Sequence, residues 1–353
     1  MGSNQDISEA LQADVVQAAE SGQQLCLQGG RSKDFYGREL IGEPFDLNQH
    51  RGIVDYEPTE LVVTARGGTP LSEIEAALAA QHQMLPFEPP YFTEASTIGG
   101  AIASGLSGPR RPWFGAPRDL LLGIKLLDGR GQILNFGGQV MKNVAGYDLS
   151  RLMAGSLGTL GILLEVSIKV LPLPPQETTL LFEADAENAH AITQRMCLDA
   201  APISGSCHMD GLLHIRLECD ETRVLQLRNR FGGELAEDAE MFWRVLRDQQ
   251  LAFFQTDAPL WRLSMPPAAD FGLPGKQLIE WGGALRWFKG DHSMEAIRSA
   301  VSATGGHATL FRNGDRSGEI FHPLNPTVAL LHQRLKRVFD PKSIFNPGRL
   351  YPE

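Results

Sequence analysis

The sequence predicts an α+β protein, with a mixed sheet and a helix layer first and a second α+β unit on an antiparallel sheet after it. Three observations predict this. Short β-rich runs alternate with helical runs through residue 81. The stretch Leu171-Pro172-Leu173-Pro174-Pro175 then breaks both patterns, because proline neither donates to a sheet ladder nor sits inside a helix. Beyond it, strand and helix patterns repeat as β-α-β units with hairpin signals between them.

In chain order, residues 7–21 place Ile7, Leu11, Val15 or Val16 and Ala19 on one helical face. Residues 25–27 are a short strand ending at Gly29-Gly30, and 45–47 and 52–56 are further strands. Glu57-Pro58-Thr59-Glu60 is a turn, 61–65 a β-rich run closed by Gly67-Gly68, and 71–81 a helix. Residues 119–127 read as a strand that returns through Asp128-Gly129-Arg130-Gly131, a hairpin turn of the Asp-Gly type, into 132–136. A short helix at 149–153 precedes a strand at 163–170. After the proline break, strands are expected at 178–183, 203–209, 212–217, 260–265, 278–288 and 307–312, with a hairpin around Asp210-Gly211. Helices are expected at 186–198, 220–231, 293–303 and 328–338.

The 353 residues suffice for two domains with proper cores, and 42% hydrophobic with 21% charged residues is the balance of a globular protein. A net charge of −10 without a clustered basic stripe argues against nucleic acid, whose phosphates would dominate binding. Pro109-Arg110-Arg111 is too local to change that. Cys26, Cys197, Cys207 and Cys219 form no CxxC and match no zinc or iron–sulfur spacing, so reduced, mostly buried thiols are expected. The first nine residues are polar and acidic, unlike a signal peptide, and no apolar run is long enough to span a membrane.

Two segments have the composition of phosphate cradles. In Gly29-Gly30-Arg31-Ser32-Lys33 two glycines free backbone N–H groups, a hydroxyl follows, and two cations flank it. A plain strand-to-loop turn would share that composition. Thr97-Ile98-Gly99-Gly100-Ala101-Ile102-Ala103-Ser104-Gly105 follows a proline-rich loop and alternates tiny with apolar residues, which suits either an anion-binding nest or a small-residue helix start packed on a sheet. Gly155-Ser156-Leu157-Gly158-Thr159-Leu160-Gly161-Ile162 opens a strand rather than a helix, which excludes a dinucleotide fingerprint and with it nicotinamide. The fourth segment is Phe339-Asp340-Pro341-Lys342-Ser343-Ile344-Phe345-Asn346-Pro347-Gly348-Arg349-Leu350.

These four segments, in this order, resemble the FAD-binding domain of the vanillyl-alcohol-oxidase or PCMH-type superfamily, and the likeness covers nearly the whole chain. The resemblance implies an FAD-binding domain of two subdomains over residues 1–172, an α+β cap with an antiparallel sheet over 173–325, and a C-terminal segment, 326–353, returning to the FAD site. It implies that Gly29, Gly30, Arg31, Ser32 and Lys33 form the first pyrophosphate loop, with Arg31 where the family has a third glycine. It places Thr97, Gly99, Gly100, Ser104 and Gly105 by the diphosphate and flavin edge, with Pro89 just before them; Ala101 and Gly105 stand where family members often carry Asn. Thr159, Gly161 and Ile162 fall on the adenine and ribose side. Asn346 falls near the flavin ring, whose edge an amide can hydrogen-bond. The family's covalent flavin links use His or Cys in these loops; Arg31 and Gly105 offer neither, so non-covalent FAD is expected. The metal site of the family's D-2-hydroxyacid dehydrogenases, a Gly-Asp-Gly-Asn segment with flanking histidines, has no counterpart here. His208 and His214 read as ordinary strand residues, His307 beside Gly305-Gly306 is a substrate-site candidate, and Arg262, Arg286 and Arg312 each suit either binding a carboxylate or solvating a strand.

Within the superfamily, residues 84–90, 105–113, 136–148 and Trp281-Gly282-Gly283-Ala284-Leu285-Arg286-Trp287 are similar to the smaller FAD-binding subunit (the E subunit) of bacterial glycolate oxidase or glycolate dehydrogenase. That resemblance implies a complex with a larger FAD-containing subunit that oxidises glycolate to glyoxylate and an iron–sulfur subunit that passes electrons to an acceptor such as quinone. It implies a cytoplasmic protein, or one peripheral at the inner membrane through the complex. Two alternatives stand beside it: a self-sufficient FAD-dependent D-2-hydroxyacid dehydrogenase using His307 and nearby arginines, and a structural flavoprotein subunit without redox turnover.

Overall fold

Strands Ile53–Glu57, Val62–Arg66, Ile162–Lys169, Leu121–Leu127 and Ile133–Gly137 hydrogen-bond in that order into an antiparallel sheet. The computed structural model describes residues 4–138 and 149–352, so most of the 136–148 stretch lies outside the described residues. Val62–Arg66 is buried along its length because both faces of the sheet are covered. On one face Leu71, Ile74 and Leu78 of helix Leu71–Ala79, with Ile98 and Ile102 of helix Ile98–Ser104, pack on Val63, Leu126 and Val166. On the other, Leu11, Val15 and Ala18 of helix Ser8–Ser21 pack on Leu127, Ile162 and Leu164. Each such fully buried aliphatic side chain contributes about 1.5–3 kcal/mol.

Beside this sheet Leu25–Gln28 pairs in parallel with Glu43–Asp46, and Leu25 bridges to Phe345. The connection between the two parallel strands carries the first glycine segment, and the bridge brings the C-terminal segment back to it.

The second sheet has eight strands in the order Glu234–Leu235, Thr178–Glu183, Leu212–Leu217, Ile203–Met209, Lys276–Glu280, Leu285–Lys289, Leu260–Ser264 and His307–Arg312, every pair antiparallel. Helices Ala186–Leu198 and Glu221–Phe231 cover the outer face of one half and Met294–Ala303 that of the other. Asp185, Asp220 and Ser293 cap their N-termini by accepting from backbone N–H groups three residues on. The inner face packs Leu278, Trp281, Leu285, Trp287 and Phe311 against Tyr36 and Leu106 of the first unit.

Three local expectations are corrected. The strand expected over 278–288 is a hairpin, because Trp281 (φ 57°) and Gly282 (φ 65°) turn left-handed and reverse the chain. Residues 119–120 belong to the short helix Pro117–Leu120, where Asp119 accepts from the Ala116 N–H at 3.0 Å. Helix Ala239–Arg247 was not expected. It buries Trp243 and Leu246, yet starts at Asp238 without a side-chain cap, so the usual start signal is missing.

Candidate cofactor site

The first glycine segment leaves strand Leu25–Gln28 and presses against the loop that leads into helix Ile98–Ser104. A Cβ on Gly30 would lie 1.4 Å from the Ala95 carbonyl oxygen, so only glycine fits there. Arg31 then takes a left-handed φ of 55°, the conformation a third glycine would adopt freely. Its side chain turns outward to Asp34 at 2.8 Å. Through this turn the backbone N–H groups of Gly29, Gly30, Arg31 and Ser32 donate to no partner among the described residues. Successive unpaired N–H groups around a left-handed residue make an anion-binding nest. Gly29, Gly30 and Arg31 line a cavity of about 370 Å³, together with Asn48, Arg51 and Ala95.

Lys33 closes the loop. Its Nζ donates to Ser96 Oγ at 2.6 Å and Ser32 Oγ at 3.1 Å and lies 5.6 Å from the Phe92 ring centre. Burial pushes its amine down to about 8, with Asp248 opposing.

The second segment is a capped helix start. Thr97 Oγ1 accepts from the Gly100 N–H at 3.2 Å, and the Gly99 N–H donates to the Gly67 carbonyl at 2.8 Å. Gly99 lets that backbone approach, since a Cβ there would meet Gly67 O at 2.7 Å. Ser104 donates to Ala101 O, and Gly105 ends the helix left-handed against Gly155. Gly99 and Gly100 line a second cavity of about 90 Å³ with Gly29, Gly161, Ile162 and Asn346. The two cavities meet at Gly29 and Thr97.

Asn346 ties the walls together. Its Oδ1 accepts from the Leu27 N–H at 2.8 Å and its Nδ2 donates to the Leu157 carbonyl at 2.7 Å. That engages both ends of the amide with backbone and leaves one Nδ2 proton without a partner among the described residues. Thr159 is separated from the crevice: its Oγ1 donates to Ser156 O at 2.8 Å, and it lines another groove beside the C-terminal helix. Pro89 is buried, next to Glu88. Asn48, Gly67 and Gly68 line the crevice without having been predicted; the Gly67-Gly68 doublet between a strand and a helix was the available signal.

Above the crevice the cap's inner face is closed by side chains. Glu88 pairs with Arg110 at 3.1 Å and Arg216 at 2.9 Å, and Arg110 also pairs with Glu177 and Glu218. Burial pushes the Glu88 carboxyl up, but the two guanidiniums hold it below its ordinary value. Rings of Phe35, Phe92, Phe311 and Trp287 interlock edge to face with centroids 4.7–5.4 Å apart. Arg111 and Arg262 lie 4.4 and 5.3 Å from the Trp281 ring centre, and burial, then each other's charge, pushes Arg111 down to about 10. His208 and His214 point to opposite faces: His208 bonds the Ala184 carbonyl, whereas His214 stacks on Phe242 at 3.9 Å. No group of three His, Cys, Asp or Glu side chains among the described residues is arranged to hold a metal.

A glycine-walled crevice with an open N–H row, beneath an antiparallel cap, defines an FAD-binding domain of the flavoprotein class, and the FAD binding domain family model matches residues 5–137. The chain belongs to the family of glycolate oxidase subunit GlcE, whose Escherichia coli K12 member is 50% identical over 349 residues, covering 99% of this chain and 98% of that one. Glycolate oxidase subunit GlcD of Bacillus subtilis is 35% identical over 174 residues, 49% of this chain and 35% of that one. The solved alkyldihydroxyacetonephosphate synthase shares the fold, with a TM-score of 0.66, 17% identity, and 96% of this chain and 74% of that chain covered. No described helix is long and apolar enough to cross a membrane.

Proposed function

We propose that this chain is the FAD-binding subunit of a multi-subunit glycolate oxidase. Its flavin would carry electrons within the complex, alongside a larger FAD-containing subunit that oxidises glycolate to glyoxylate and an iron–sulfur subunit that passes electrons to an acceptor such as quinone. The observation that carries the reading is the row of unpaired N–H groups from Gly29 to Ser32. FAD, when bound, supplies reversible two-electron chemistry. Gly29, Gly30, Arg31, Ser32 and Lys33 would hold its diphosphate by backbone donors and charge. Thr97, Gly99 and Gly100 would wall the diphosphate, Gly161 and Ile162 the adenine side, and Asn346 the flavin side. The division of labour follows residues 1–172 for the cofactor, 173–325 for the cap and 326–353 for the returning segment. The chain would be cytoplasmic and reach the inner membrane only through its partners.

A self-sufficient hydroxyacid dehydrogenase is favoured by one feature, the Arg111 and Arg262 pair flanking Trp281. Anaerobic glycolate titration of the chain alone, following flavin absorbance, separates the two readings. Bound flavin that bleaches only after the other subunits are added supports the subunit role. Rapid bleaching of the chain alone overturns it.

A further inference from the structure

Helix Pro326–Phe339 is poorly covered by the rest of the chain, burying only Phe339. Leu330, Leu331 and Val338 are exposed by 44%, 50% and 56%, and Leu331 and Val338 stand seven residues apart, on one helical face. Other large exposed apolar side chains, such as Ile41, Leu198 and Leu235, lie singly on separate elements. The helix carries Arg334, Lys336 and Arg337 and no acidic residue, in a chain of net charge −10.

Alongside it runs a groove of about 480 Å³. Its apolar walls include Leu152, Leu160, Leu335, Leu350 and Tyr351; its charged lining is all cationic, and no Asp or Glu lines it among the described residues. Lys336 and Arg349 serve the fold, Lys336 holding Asp340 and the Thr159 and Phe345 carbonyls, Arg349 the carbonyls of residues 34, 36 and 38. Arg118, with its side chain 67% exposed, lies 3.7 Å from the Asp119 carboxylate, and Arg337 remains at the surface.

We propose that this helix and groove dock an acidic, apolar-faced segment of the larger flavin-containing partner subunit. Apolar side chains of that segment would cover Leu331 and Val338, and its carboxylates would meet Arg334 and Arg337. Opposite charge at the rim speeds encounter and fixes register, while the apolar centre supplies affinity. The inference rests on the subunit reading above.

The test measures affinity of the full chain for the co-purified larger subunit. It compares wild type, Leu331→Asp with Val338→Asp, Arg334→Glu with Arg337→Glu, and Leu198→Asp as a distant control. All changes lie on exposed positions, so the melting temperature and flavin content of each free chain check that folding is intact. Both double variants are expected to bind at least about tenfold more weakly. Wild-type binding is expected to weaken with salt, and the charge-reversed variant to lose that dependence. Wild-type affinity in both double variants overturns the docking site. If wild type itself does not bind the larger subunit, the subunit reading falls and the docking site with it. Self-association of the wild-type chain that both double variants abolish would make a second copy the occupant and likewise overturn the proposal.

Discussion

The two glycine segments that meet at the crevice look alike in sequence and use their glycines for different purposes. Residues 29–33 spend Gly30 on a backbone crossing with Ala95 and leave four consecutive N–H groups open. Residues 97–105 spend Gly99 on an equivalent crossing with Gly67, yet the N–H groups of Ile98, Gly99 and Gly100 are already taken by Thr69 O, Gly67 O and Thr97 Oγ1, and those from Ala101 on by the helix. The first segment is therefore a donor surface and the second a wall. Glycine content signals close backbone approach, and what approaches, another strand of the same chain or an anion, is decided by which N–H groups remain unpaired.

The largest test of this contrast is Gly30→Ala. The added methyl would meet the Ala95 carbonyl at 1.4 Å, and either the turn or the 93–97 loop must move. The expected cost is about 3 kcal/mol, the upper end for overpacking, together with loss of bound FAD. Thermal melting and flavin content of the purified chain measure both. A stable variant that retains flavin would mean that residues 29–32 are not the diphosphate nest.

Lys33 gives a second test, because it places a titrating cation in the first segment and the second segment has none. Its amine, lowered by burial to about 8, should rise again when a phosphate lies beside it, so FAD binding takes up a proton. The sign follows: affinity is flat below about pH 8 and falls as pH rises above it. Lys33→Met should bind FAD about tenfold more weakly at neutral pH and lose the pH dependence, consistent with one charge-assisted contact. Calorimetry of FAD rebinding to the flavin-free chain reads both. An unchanged pH slope in Lys33→Met would assign the titration elsewhere.

Much of this was legible in the sequence because it is local. The strands and helices of the first sheet follow apolar periodicity, and the glycine segments stand out by composition. The capped start at Thr97 was visible as one of two alternatives, and the structure selects it. What could not be read depends on distant residues meeting. Glu88, Arg110, Glu177, Arg216 and Glu218 share no local pattern, yet they form the ion cluster joining the second unit to the first. Thr159 lies in the same segment as Gly161 and Ile162 yet lines the groove beside the C-terminal helix while they line the crevice, a split that composition does not show. Thr97→Ala tests the capped start directly. Losing the bond to the Gly100 N–H should cost about 1 kcal/mol of stability, recovered in Thr97→Ser. A neutral Thr97→Ala in thermal melts would show that the helix start does not depend on its cap.

Arg31 marks where the first segment departs from a run of three glycines, and it gives the smallest and most discriminating effect. A left-handed residue bearing a Cβ costs roughly 1–2 kcal/mol, and replacing it with glycine returns part of that through a more flexible unfolded chain. Arg31→Gly is therefore expected to stabilise the flavin-free chain by about 0.5–1 kcal/mol, since the surface pair with Asp34 that it removes contributes little. If the nest is built from backbone alone, flavin affinity should be unchanged or slightly higher. If the guanidinium reaches the cofactor's phosphates, affinity should fall while stability rises. A melting temperature and an FAD dissociation constant that rise together would assign the side chain a direct role, and a dissociation constant that stays level or falls as the melting temperature rises would leave recognition to the N–H row.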